Sequence, residues 1–352
     1  MGLAARRRGG GRAMTGERPA GDLRFTASDT WAQVPPEFAY RDVAAVDVAA
    51  DDDVYLLTRD RNGVLVLDSA GGFRAAWGDG IFTTPHGLTL APDGTVYCVD
   101  CGDHSIRRFT PDGELIQTIG TPGSATDTGY RPGPGAVVHA NETVRRAAGP
   151  FNGCTNLAIA PTGELYVSDG YGNCRVHRFT ADGELIGSWG AVGFGPGEFR
   201  LPHGICATAD GRILVGDREN DRIQVFDLDG TYMTEWTDVQ RPTDLAVDRD
   251  GLIYVAELWR PRGNASFTRG TTSVDLPGRV TVFDPRGTVV ARWGASTVMR
   301  DGLGNFVAPH GIAVDSHGSV YVGEVTGSFG IKPGRVPDSM AGHLLQKFTR
   351  TT

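Results

Sequence analysis

A six-bladed, all-β propeller is the fold this sequence predicts, and three observations predict it. One pattern returns along the chain: aliphatic-x-aliphatic, a turn with Asp-Gly or similar, aliphatic-Tyr-aliphatic, an acid, then Arg-aliphatic-x-x-Phe. Each copy holds three or four short runs that alternate with period two, split by turns such as "PDG", "ADG", "LDG" and "RDG". That combination specifies antiparallel hairpins. Six copies can be laid out, and four-stranded units of about 40 residues are propeller blades.

The blades follow in order. The first is "VAAVDVAADDDVYLLTRDRNGVLVL" from Val43, and the second runs from Pro85 through "SIRRFTPDGELIQTIG". The third starts at Cys154 and the fourth at Pro202. The fifth starts at Pro242 and rejoins at "GRVTVFDPRGTVVARWG"; the sixth starts at Pro309 and closes with "HLLQKFTR". The early segment "LRFTASDTW" is expected to supply the outer strand of the last blade, closing the ring and hiding the sheet edges. Residues 23–352 then form one domain, and the basic, Gly-rich residues 1–22 read as a disordered leader. Insertions at 121–150, 259–279 and 325–342 interrupt the pattern, and loops of such length in a compact fold are usually functional or mobile.

Composition narrows the function. The net charge is -8, which does not suit a phosphate backbone, so nucleic acid is not expected as a partner. No apolar run approaches the roughly 20 residues that span a bilayer, and no apolar core follows the N-terminal arginines as in a secretory signal. The expectation is a soluble, cytoplasmic protein whose five cysteines are not a disulfide framework. Cys98 and Cys101 look like a CxxC pair, but their spacing on a strand sends them to opposite faces. Cys154 and Cys174 flank the strand pair of the third blade, where no required disulfide is expected.

A repeat needs recurring turns and apolar residues, but it does not need a histidine. Yet Pro-His-Gly-aliphatic appears at His86, His203 and His310, in the second, fourth and sixth blades. The intervening blades carry Ala44, Thr155 and Thr243 at that position. Alternate blades of a six-membered ring are a third of a turn apart, so three imidazoles should converge on the central channel. Three His ligands with an open fourth position describe a catalytic zinc site, and imidazole also suits other divalent transition metals. His104, His139, His177, His317 and His343 lack this register and are expected at the surface or in loops; His139 would join the site if its insertion reaches the channel.

A second register follows each aliphatic-Tyr-aliphatic strand. It holds Arg59 in the first blade and Arg218 in the fourth, which face each other across the axis. Two opposed guanidiniums suit a carboxylate or other oxyanion. Tyr171, in "SDGYGNCR", follows the same position in the third blade. Near a cation its hydroxyl would have a lowered pKa and serve as a base. Asp100, Asp169, Asp217, Glu257 and Glu324 recur just before this register, as expected of residues that hydrogen-bond neighbouring turns.

Taken together, "SDGYGNCRV", "GEFRLPHGI" and "DRENDRIQVF" resemble NHL-repeat propellers, and specifically the catalytic domain of peptidyl-α-hydroxyglycine α-amidating lyase, over nearly all of the chain from Val43. The resemblance implies a zinc ion on His86, His203 and His310, a tyrosine base at Tyr171 that assists alkoxide formation, and a substrate carboxylate held by Arg59 and Arg218. The implied reaction cleaves an N–C bond of a carbinolamide to an amide and glyoxylate. The chain departs from the family in places. Ala308 replaces a methionine, which should enlarge the site. Gly311 replaces an aspartate that helps hold a structural calcium, Ca2+, beside backbone carbonyls at Val46 and Leu88. Asn152 and Gly172 stand where the family has cysteines. A peptide-like or small natural-product-like carbinolamide bearing a carboxylate is the substrate this implies. Two alternatives remain, one that uses the three-His site differently and one that does not use it. One is a hydrolase, such as a lactonase, using a metal-activated water; the other is a non-catalytic NHL interaction module.

Overall fold

The structure, a computed structural model, describes residues 23–133, 140–294, 296–297 and 302–351, together with the backbone of a short strand at Arg12–Met14. His139 and the rest of the 1–22 leader lie outside the described residues. Six antiparallel sheets of the predicted kind are present. The innermost strands, in blade order, are Val43–Val48, Pro85–Leu90, Cys154–Ile159, Pro202–Ala207, Pro242–Val247 and Pro309–Val314. They touch their neighbours all the way round, the sixth against the first. The ring closes as expected: Phe25–Ser28 pairs antiparallel with Leu345–Arg350 of the sixth blade, Phe25 opposite Arg350 and Ser28 opposite Lys347.

The core is distributed between blades. The second strand of the first blade, Val54–Thr58, is buried along its whole length. Its Val54 and Leu56 pack with Ala313 and Tyr321 of the sixth blade, while Tyr55 and Leu57 pack with Leu88, Cys98 and Phe109 of the second. Both sheet faces are covered, so such strands read as continuous apolar runs. Equivalent clusters fill the other four junctions. A turn glycine helps the blades approach. Gly230 has φ +82°, and a Cβ there would lie 2.6 Å from the Trp189 ring of the preceding blade.

The recurring acids clamp the loops that lead into the innermost strands. Asp100 accepts from the Thr83 and Thr84 amides, Asp217 from Arg200, and Glu324 from Val307 and Ala308. Asp169 and Glu257 do the same for Asn152 and Gln240. In three blades the clamped residues lie two or three positions ahead of a Pro-His-Gly histidine, so these carboxylates set the histidine backbone without touching its ring.

One histidine departs from its expected place. His177 is fully buried inside the third blade, where Nε2 lies 3.1 Å from Asp169 and Nδ1 2.7 Å from Ser188 Oγ. The Ser-His-Asp order has no catalytic reading. The equivalent positions in the fourth blade hold Asp217, Gln224 and Glu235: Gln224 lies opposite Glu235 in the ladder, and its amide donates to Asp217 at 3.3 Å. A repeated polar ladder, rather than a surface loop, explains its burial.

Candidate metal centre and its arginine pocket

The three register histidines sit at the start of their innermost strands and converge. Their ligand atoms all lie within 4.8 Å of one another, and their ring centroids are 4.6, 4.7 and 5.0 Å apart. All three are buried. Each Nδ1 meets a backbone carbonyl of the following blade: His86 with Thr155 at 2.7 Å, His203 with Thr243 at 2.6 Å, and His310 with Ala44 at 2.7 Å. Those three acceptors are the residues that occupy the histidine position in the intervening blades. A carbonyl can only accept, so each Nδ1 carries the proton and each Nε2 lone pair faces the channel.

The glycine of Pro-His-Gly makes this contact possible. A Cβ at Gly204 would lie 2.6 Å from Asp244 Cα, and at Gly87 2.7 Å from the Thr155 carbonyl oxygen. Any side chain there pushes the next blade off its histidine. Gly204→Ala is therefore expected to cost about 1–3 kcal/mol in urea unfolding and to weaken metal binding.

Electrostatics favour ligand chemistry. Burial, more than any neighbour, pushes the pKa of all three histidines well below the usual range; His310 and Arg59 add to this for His86, Arg218 for His203, and Arg59 for His310. Neutral imidazoles are the form a metal needs. Three buried, pre-oriented Nε2 donors fit a divalent metal of the zinc type.

Calcium fares differently. A Cβ at Gly311 would lie 2.7 Å from Ala45 Cα, so the carboxylate that the resemblance implies for a calcium site has no room at this position. The residues present do not fit that arrangement. Along this stretch of the channel, Asp47 and Asp244 are instead pushed by burial to about 6 and about 8.

Tyr171 projects over the imidazoles. Its hydroxyl is 2.9 Å from His86 Nε2 and 3.3 Å from His203 Nε2. The expected lowering of its pKa is not what the polypeptide imposes: burial raises it, outweighing the opposing pull of Arg218, whose guanidinium lies 5.6 Å from the ring. Arg59 and Arg218 open onto the same cavity as Tyr171 and His310, a space of about 280 Å³. Arg59 donates to Ser328 Oγ at 2.7 Å, and Arg218 to Glu219 at 2.8 Å. All five cysteines are free. Cys98 is buried in an apolar cluster, and Cys101 approaches the Thr84 carbonyl.

The three insertions build the pocket. From 121–150, Asn141 donates to the carbonyl of Gly170 at 3.0 Å, and Thr128 to that of Gly172, bracketing Tyr171. From 259–279, Arg260 reaches Glu219 and Asp221, and Phe267 bonds the Glu219 carbonyl. From 325–342, a helical turn at Thr326–Ile331 brings Ser328 and Phe329 to the cavity, and Arg335 follows. Ala308 is fully buried but does not line the cavity; it packs with Val325, Val336 and Met340 of this last insertion. Sequence reasoning missed Arg241, Phe329 and Arg335. Arg241 precedes a Pro in the register, as Leu201 does in the fourth blade, and so carried a signal; the other two lie in an insertion with no repeat to align.

Comparison with known proteins agrees with the repeat and the fold. The NHL repeat family matches residues 199–226. NHL repeat-containing protein 3 of Mus musculus is 30% identical over 289 residues, covering 77% of this chain and 73% of that protein. Peptidyl-alpha-hydroxyglycine alpha-amidating lyase 2 of Drosophila melanogaster is 31% identical over 278 residues, covering 75% of this chain and 58% of that protein. Two solved structures share the fold at 14% identity: virginiamycin B lyase from Staphylococcus aureus, with a TM-score of 0.55 over 94% of this chain and 100% of that one, and a gluconolactonase from Xanthomonas campestris, with 0.57 over 98% and 99%. The chain belongs to the NHL-repeat family of β-propeller proteins, and within it resembles the peptidyl-α-hydroxyglycine α-amidating lyases.

Proposed function

We propose that the protein is a metal-dependent carbon–nitrogen lyase acting on an α-hydroxyglycine-like carbinolamide that carries a carboxylate. The observation that carries this reading is the position of the Tyr171 hydroxyl, within hydrogen-bond reach of the channel-facing Nε2 atoms of His86 and His203 and beside Arg218. His86, His203 and His310 would hold the metal, zinc or another divalent transition ion, which when bound supplies a Lewis acid for the substrate hydroxyl oxygen and a positive charge beside Tyr171.

The chain's own residues do the rest. Arg59 and Arg218 grip the carboxylate and orient the carbinol carbon toward the histidines. The positive charge a bound metal would supply, with Arg218 beside the ring, would favour Tyr171 as its phenolate, which takes the hydroxyl proton at Oη. The carbonyl then forms as the C–N bond breaks, and the nitrogen regains a proton from Tyr171, leaving an amide and glyoxylate. A cavity of about 280 Å³ suits a small substrate or one end of a larger one. A neighbouring cavity of about 570 Å³ shares Arg59 and Ser328 and would take the remainder of a peptide-like substrate.

The free thiols support a reducing, cytoplasmic setting. No helix among the described residues is long and apolar enough to cross a membrane, and the acidic charge disfavours nucleic acid as a partner. The reading is tested by incubating zinc-loaded protein with N-benzoyl-α-hydroxyglycine and following glyoxylate and benzamide. Equimolar release of both, faster than in buffer, is expected; no acceleration would count against the reading.

A further inference from the structure

The pocket beside the metal centre holds more positive charge than one substrate carboxylate explains. In a chain of net charge -8, its walls carry Arg59, Arg218, Arg241 and Arg335, with no carboxylate among the described lining residues. The nearby acid, Glu219, is shared: it meets Arg218 at 2.8 Å, Arg241 at 2.7 Å and Arg260 at 3.3 Å. Arg335 makes no ion pair among the described residues. It donates to the Phe329 carbonyl at 2.8 Å and lies 4.5 Å over the Phe329 ring. Arg241 approaches the same ring at 5.8 Å, so the two guanidiniums share one aromatic wall. Both cations are partly stripped of water. Burial pushes Arg241 down to about 10 despite Glu219, and lowers Arg335 as well. Arg241 also has φ +36°, an uncommon conformation for a residue with a side chain, held by Trp259 O at 2.9 Å and by Glu219.

We propose that Arg335 and Arg241, with Asn264, form a second anion subsite, and that the substrate is therefore doubly anionic, with one acid group near the metal and another on the departing amide fragment. This rests on the reading that Arg59 and Arg218 hold the first carboxylate. A single carboxylate there leaves Arg335 without a counter-charge, whereas a second acid over Phe329 supplies one. A neutral amide fragment would leave this cation facing the cavity with only a carbonyl and a ring.

Binding separates the two claims without turnover. Calorimetry on the zinc-loaded protein would compare dicarboxylates from succinate to adipate with the monocarboxylate of the same chain length. At least one dicarboxylate is expected to bind about tenfold tighter or more than its monocarboxylate. In Arg335→Gln that ratio is expected to fall to near one, and in Arg335→Lys to be partly restored. Equal binding at every length, with both acids weakened by Arg59→Gln, overturns the second subsite and leaves the first standing. A dicarboxylate preference that survives Arg335→Gln also overturns it. Acids that ignore Arg59→Gln overturn both. Arg335 is half-exposed on an insertion, so thermal unfolding of its variants should match the parent.

Discussion

Tyr171→Phe is expected to lower kcat on α-hydroxyglycine substrates by about 10²–10⁴-fold with bound metal unchanged. The side chain hydrogen-bonds the imidazoles through its hydroxyl, so removing that oxygen leaves the ligands and the edge-to-face ring contacts with His86 and His203 in place. A small change in KM would accompany the loss, because the carboxylate grip belongs to the arginines. A hydrolase driven by metal-activated water would keep most of its rate in this variant, so one kinetic comparison separates the two chemistries. Retained lyase activity would remove Tyr171 from the mechanism.

The second large effect is structural. Glu219 is fully buried and is the shared partner of Arg218, Arg241 and Arg260. Burial alone would raise its carboxyl, but the guanidiniums, Arg241 foremost, outweigh it and hold the pKa at about 2 against an ordinary 4.5. Glu219→Gln leaves three buried cations short of a charge and is expected to cost about 3–5 kcal/mol in denaturant unfolding. The pH dependence follows in sign. A carboxyl with a depressed folded pKa contributes stability in full above its unfolded value and loses it as pH falls toward its folded one. The difference between parent and Glu219→Gln should therefore hold above about pH 5 and shrink between 4.5 and about 2. A constant difference across that range would show that the charge is not what matters. Substrate affinity should fall too, since Glu219 orients Arg218.

What the sequence reveals depends on whether a residue belongs to the repeat. His86, His203 and His310 were legible because six aligned copies fix their angular positions, and a residue that recurs in alternate blades must meet its copies at the axis. The closing strand Phe25–Ser28 was legible because a propeller blade needs a fourth strand. The recurring acids were legible as turn clamps for the same reason. Arg335 and Phe329 were not, because nothing in a single chain places an insertion relative to the ring. His177 was misjudged because the third-strand polar position varies from His177 to Gln224 to Thr281, hiding its periodicity. The direction of the Tyr171 shift depended on depth: proximity to Arg218 was inferable, but the burial that outweighs it was not.

The shared account of metal, tyrosine and arginines stands on the three imidazoles acting as one ligand set. The most direct measurement is the metal content of chelator-free purified protein, by mass spectrometry, beside His203→Ala. The account predicts about one zinc or similar divalent ion per chain in the parent and near loss of it in the variant. A metal-free parent that takes up no added zinc, or a variant that retains the full complement, would contradict it.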